Sequence, residues 1–145
     1  MTLLKPYLII VKSLLFFLFD SIVLWGSQPP QHNKLKLVLL IRQDAIGDFV
    51  IWLDTAKEYR KLYPPEKYKI VLVGNDVWYS LAKILPYWDD VLPVNIKQLQ
   101  TLSLYRKNLL RQVRSLGAHI TVQSAFSREF YLADSLVRAS NALCK

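Results

Sequence analysis

The chain reads as an α/β protein: a Rossmann-like parallel sheet flanked by helices, preceded by an apolar helix. Leucine- and valine-rich runs, clearest at Leu35–Ile41 and Tyr68–Val73, alternate with amphipathic helical stretches. That alternation is the rhythm of βα units. The runs are apolar almost throughout, as strands covered on both faces are. Behind the first run comes a short acidic loop with one glycine, Asp44-Ala45-Ile46-Gly47-Asp48.

The amino terminus is a separate element. Met1 to Trp25 is apolar except for Lys5, Lys12, Asp20 and a few hydroxyl groups. At about 100° per residue the three charges fall on one narrow face. A membrane span needs roughly 20 mostly apolar residues, and two charges inside the window count against one. No small-x-small cleavage site follows, which counts against a secretory signal. Two placements stay open: a helix lying in the membrane interface, or one docked on the globular core. Residues 27–33, with Pro29 and Pro30 among small polar residues, read as a linker. Residues 34–145 read as the Rossmann-like lobe.

Within that lobe the first strand is Lys36 to Ile41. A helix follows from Gly47 to Leu62, ended by Tyr63-Pro64-Pro65. Asp54 with Lys57, and Glu58 with Lys61, are i,i+3 pairs on its wet side. The second strand is Tyr68 to Val73, closed by Gly74-Asn75. The second helix runs from Asp76 to Leu85 and stops at Pro86. Val91 to Val94 is a short third strand. The third helix is Leu102 to Leu116, stopped by Gly117, and the fourth strand is His119 to Gln123. The final helix starts at Ser127 or Arg128, with Ser127 as candidate cap, and runs to Ser140.

The 145 residues suffice for one domain with a real core. The single cysteine, Cys144, excludes an internal disulfide framework. A net charge of +8 points to an anionic partner: a membrane surface, a phosphorylated glycolipid or nucleic acid. The third helix gathers much of that charge. Lys107, Arg111 and Arg114 share one face, opposite Tyr105, Leu109, Val113 and Leu116. Such a face is commonly just solvated. Here no acid occurs between Asp90 and Glu129, so the face suits anionic head groups or acceptor phosphates.

Several function classes lack their residues. No dinucleotide Gly-x-Gly-x-x-Gly and no P-loop is present. His32, His119 and Cys144 form no metal set, and His119 at a strand start reads as structural. No Gly-x-Ser-x-Gly elbow occurs. A receiver domain would need an aspartate after the third strand, which ends Leu92-Pro93-Val94-Asn95. No nucleic-acid module is recognisable, so nucleic acid is not an expected partner.

The acidic loop remains. Open α/β sheets bind ligands at the carboxyl ends of their strands, which is where Asp44, Gly47 and Asp48 lie. Gly47 permits close backbone approach or a positive φ. Asp48 has two readings, a helix N-cap and a base. The string Arg42-Gln-Asp44-Ala-Ile-Gly47-Asp48-Phe-Val-Ile-Trp52-Leu resembles the first strand, loop and helix of glycosyltransferase family 9, which includes the lipopolysaccharide heptosyltransferases. The family pattern there is close to Arg-x-Asp-x-x-Gly-Asp, and every fixed position is met. Gln123-Ser-Ala-Phe126-Ser127-Arg128 is similar to a loop that the family carries after the fourth strand.

The resemblance implies the N-terminal, acceptor-side lobe of a two-lobe GT-B enzyme, from about Lys34 to the chain end. It implies inverting transfer from a nucleotide-sugar to a lipopolysaccharide-type or other glycan acceptor, with no metal and no other cofactor. It makes Asp48 the base, Asp44 a turn-shaping acid, and Asp44, Gly47, Gln123, Ser127 and Arg128 the acceptor-binding residues. The donor-binding lobe is absent from these 145 residues, so the expectation is no transfer by this chain alone. A cytoplasmic protein touching the inner face of the cytoplasmic membrane fits this picture. The opposing expectation is a non-catalytic, membrane-associated binding or scaffold domain that kept the fold.

Overall fold

The computed structural model describes residues 4–27, 35–125 and 129–145. Four strands form one fully parallel sheet in the order β3-β2-β1-β4. They are β1 (Lys36–Arg42), β2 (Tyr68–Asn75), β3 (Asp90–Val94) and β4 (Ile120–Gln123). Register pairs Arg42 with Gly74 and Ile41 with Gln123. The carboxyl ends of β1, β2 and β4 therefore lie side by side.

Both faces of the sheet are covered, which explains the apolar β1. Leu37, Leu39 and Ile41 join Val71 and Val73 in one core. Val38 and Leu40 join Ile70 and Leu72 in the other. This is the period-two geometry of a strand. On the second face α2 (Ile46–Leu62) buries Phe49, Trp52 and Ala56. Phe49 stacks on Trp78 with ring centroids 3.9 Å apart. The first face takes α5 (Leu104–Ser115) and α6 (Ser135–Ser140), with Val23 and Leu24 from α1 (Leu4–Trp25). The pairs Lys57–Asp54 and Lys61–Glu58 form at 3.1 and 2.9 Å. His119 is structural: its Nδ1 accepts from the Leu37 N–H at 3.3 Å.

Element boundaries depart from the sequence reading where side chains intervene. β2 runs on through Gly74-Asn75, because Gly74 pairs with Arg42 of β1 and Gly74 and Asn75 pair with Pro93 and Val94 of β3, and the Trp78 ring passes over Gly74. A Cβ built there would overlap that ring and lie 2.7 Å from the Arg42 carbonyl oxygen. The helix expected from Asp76 to Leu85 is a 3₁₀ turn, Asp76–Trp78, followed by a short α3, Tyr79–Lys83. Asn75 starts it, accepting from the Val77 N–H at 3.1 Å. An unforeseen α4, Ile96–Leu99, is capped by Asn95, which accepts from the Gln98 N–H at 3.0 Å. Ser103 caps α5, and Gly117 ends it with φ 67°. The last helix is a π-helical turn, Phe130–Asp134, running into α6. Its expected cap, Ser127, lies outside the described residues.

The amino-terminal helix is docked along one face. Phe16, Asp20, Val23 and Leu24 are buried. The Lys12 ammonium sits 4.2 Å from the Tyr131 ring centre. Asp20 thus lies on the inward face, and Lys12, itself exposed, leans toward the domain from the same side. Met1 to Leu3, the Lys5 side chain and the linker residues 28–33 lie outside what is described.

Candidate functional site

The site is assembled at the carboxyl end of β1. Arg42, the last residue of that strand, is buried and ties three segments together. Its Nη1 donates to the Ser124 carbonyl at 2.7 Å, behind β4. Its Nη2 pairs with Asp44 Oδ2 at 2.6 Å and donates to the Asp48 carbonyl at 3.4 Å. The guanidinium lies 5.0 Å from the Trp52 ring centre. From the end of β2 the Asn75 amide donates to the Asp44 carbonyl at 3.3 Å, and from the following 3₁₀ turn the Trp78 indole donates to it at 2.9 Å. The loop backbone is held from both sides.

The two loop acids are in different states. The Asp44 carboxylate is committed to Arg42 and largely shielded. Asp48 is exposed, and among the described residues its carboxylate has no partner. The N-cap of α2 is Ala45, which makes no side-chain cap bond, and Asp48 falls in the first helical turn. The capping reading of Asp48 is therefore wrong, because the helix begins at Ile46. The helix macrodipole favours a carboxylate at that position.

Gly47 also needs correction. It has no positive φ, and a Cβ built on it meets nothing within 4 Å. Neither backbone strain nor crowding inside the protein calls for glycine there. Its lack of a side chain leaves open space over the first turn of α2, beside Asp48.

A polar cavity of about 130 Å³ opens next to Asp44, lined by Gln43, Asp44, Ala125, Glu129, Leu132 and Ala133. The chain crosses from β1 to β2 on one side and pairs β1 with β4 on the other. The cavity lies between the β1 and β4 loops, at the topological switch point where such sheets bind ligands. Buried polar atoms around it lack partners among the described residues: both amide atoms of Gln43, Nε2 of Gln123 and Oγ of Ser124. Glu129 accepts a hydrogen bond from the Tyr131 hydroxyl, which holds that phenol above its ordinary pKa. A second groove of about 430 Å³ runs along the ends of β2 and β3, between Asn75, Asp76, Val77, Asn95, Ile96 and Lys97.

The structure thus brings together Asp44, Gly47, Asp48 and Gln123. Ser127 and Arg128 lie outside the described residues. Lys107, Arg111 and Arg114 stand apart on α5, unpaired among the described residues. Arg111 faces a separate groove with Gly26, Ser27, Gln112 and Ser115. Sequence reasoning missed Gln43 and Glu129. Glu129 left one signal, as the first acid after Asp90. Among the described residues no group of three or more His, Cys, Asp or Glu side chains is arranged to hold a metal.

A solved structure matches this architecture with a TM-score of 0.62 and 14% sequence identity. It is the crystal structure of the glycosyl transferase family 9 protein from Veillonella parvula DSM 2008. The fold is that of a family 9-like glycosyltransferase lobe. The match covers 79% of this chain and 32% of that one. This chain spans about a third of the length of that glycosyltransferase. No protein-family model and no curated protein matches the chain.

Proposed function

We propose that this family 9-like lobe is the acceptor side of an inverting glycosyltransferase, with Asp48 as general base. The observation that carries the reading is the division of labour between the two loop acids. Asp44 is neutralised by Arg42 and shapes the loop. Asp48 stands free and exposed at the sheet's carboxyl edge, with open space above Gly47. In the reaction an acceptor hydroxyl oxygen bonds to the anomeric carbon of a nucleotide-sugar. The bond from that carbon to the leaving phosphate oxygen breaks, and the hydroxyl proton passes to the Asp48 carboxylate. The nucleotide departs with the electron pair.

Gln43 and Glu129 line the polar cavity and are the side chains placed to meet acceptor hydroxyls, and Gln123 joins them on the family resemblance. Ser127 and Arg128 belong to the same acceptor set on the family resemblance. The acceptor class is a glycan or glycolipid of the lipopolysaccharide type. The donor site belongs to a second lobe, on the same chain or on a partner. The test is Asp48→Asn in an assembly that contains both lobes. Transfer should fall by about 10²- to 10⁴-fold, the usual worth of a general base, with acceptor binding little changed. Unchanged turnover would leave a binding domain that kept the fold.

A further inference from the structure

We propose that α1 is a lipid-facing helix, held to the domain along one face and immersed in an anionic bilayer surface along the other. This goes beyond the sugar-transfer reading and does not depend on it. The helix is apolar and long enough to cross a membrane over Tyr7–Trp25, yet only 22% of that stretch is buried in the protein. Its outward stripe is Leu8, Val11, Leu15, Leu18, Ile22 and Trp25, each more than half exposed. Those residues recur at three- and four-residue intervals, so they form one continuous line. At the end of the line Trp25 is 90% exposed.

The polarity of the helix is inverted relative to a surface helix of a soluble domain. Of its described charges Asp20 is buried against the Arg106 guanidinium, and Lys12, though exposed, leans its ammonium over the Tyr131 ring at the edge of the docked face. The outward stripe itself carries no charge. A protein partner would meet a polar rim and hydrogen-bonding groups, about one bond per 100–200 Å². This stripe offers almost none. The nearby Ser21 hydroxyl already donates to the Phe17 carbonyl at 2.7 Å. A bilayer asks for no such groups. The flank supplies the matching charge: Arg111, without an ion-pair partner among the described residues, faces the groove beside Gly26 and Ser27, next to Trp25. The chain as a whole carries +8, which suits anionic head groups.

The helix lies in the plane of the bilayer rather than across it. Crossing would pull Asp20 away from Arg106 and strip the cover from Val23 and Leu24. Lying flat, it immerses the outward stripe to the shallow depth typical of in-plane helices and keeps the inward contacts.

The test uses the full chain and two vesicle types, phosphatidylcholine with phosphatidylglycerol and phosphatidylcholine alone. The chain should float with the anionic vesicles. Leu18→Glu with Ile22→Glu, both outward, should cut that partitioning at least about tenfold while the thermal melt stays cooperative. Bromine-labelled lipid should quench the tryptophan emission of the unmodified chain, and Trp25→Phe should remove the quenching. That second readout stands even if the double variant fails to fold. Several outcomes overturn the proposal: no flotation, equal binding to phosphatidylcholine alone, quenching that survives Trp25→Phe, or a folded double variant that binds as before. So does resistance to alkaline carbonate extraction, which marks a span. A dimer that ignores vesicles and falls apart in the double variant would assign the stripe to a second copy.

Discussion

Asp20 and Arg106, 86 residues apart in the chain, form a two-pronged ion pair. Nε donates to Oδ1 at 2.7 Å and Nη2 to Oδ2 at 2.6 Å. Both side chains are almost wholly removed from solvent, 0% and 1% exposed for Arg106 and Asp20. The guanidinium also donates to the Leu99 and Tyr131 carbonyls and to Ser135 Oγ, each at 2.7 Å. One side chain therefore ties α1, the end of α4 and the π-helical turn into a single unit. That turn follows Glu129, which lines the polar cavity.

Removing one partner of this pair should be costly, because it strands the other charge in the core. Asp20→Leu should lower unfolding stability by about 3–5 kcal/mol, read by chemical denaturation. Asp20→Leu with Arg106→Met should recover part of that loss. Recovery should stay incomplete, since the carbonyls of Leu99 and Tyr131 lose their donor. A single variant within about 0.5 kcal/mol of the parent, the usual range for surface substitutions, would show that the pair is not buried in solution.

The two loop acids should separate in opposite directions. Asp48→Asn should damage transfer and leave stability within about 1 kcal/mol, since only a macrodipole contribution is removed. Asp44→Ala should cost about 1–3 kcal/mol, because Arg42 Nη2 loses its acceptor inside the protein. Denaturation curves of the isolated chain test the stability half without any substrate. If Asp44→Asn abolishes transfer in the two-lobe assembly while Asp48→Asn spares it, the roles are reversed.

The two glycines near the site should also differ. Gly74→Ala should destabilise by about 1–3 kcal/mol, as overpacking does, because the new methyl group meets the Trp78 ring and the Arg42 carbonyl. Near-ultraviolet circular dichroism should register the displaced ring. Gly47→Ala should be neutral or stabilising by about 0.5–1 kcal/mol, the gain of alanine over glycine within a helix. Any loss of transfer in that variant would come from the methyl group intruding on substrate space.

The purified chain alone should turn over no nucleotide-sugar. Release of nucleotide, followed by chromatography with and without glycolipid acceptors, is the measurement. Activity from the isolated chain would mean that the donor site lies on this lobe.

Much of the fold was legible from residue order because its cause is local. A strand buried on both faces must be apolar at successive positions, and β1 and β2 are. Proline and glycine mark where helices end through local backbone geometry, as after Leu62 and at Gly117. The loop Asp44–Asp48 stood out for the same reason, since a strand end followed by acids and a glycine is contiguous in the chain. The sequence alone therefore determined a parallel α/β lobe, its acidic loop and an apolar leading helix. Other facts depend on groups far apart in the chain, and only packing decided them. Arg106 reads as one more basic residue on α5 until Asp20 is placed beside it. Asp44 and Asp48 look equivalent until Arg42 is seen to claim one of them. Glu129 reaches the cavity only because β4 pairs with β1. Gly74 matters only because Trp78 folds over it. Sequence periodicity reports which way a side chain points, and only the tertiary structure supplies what it points at.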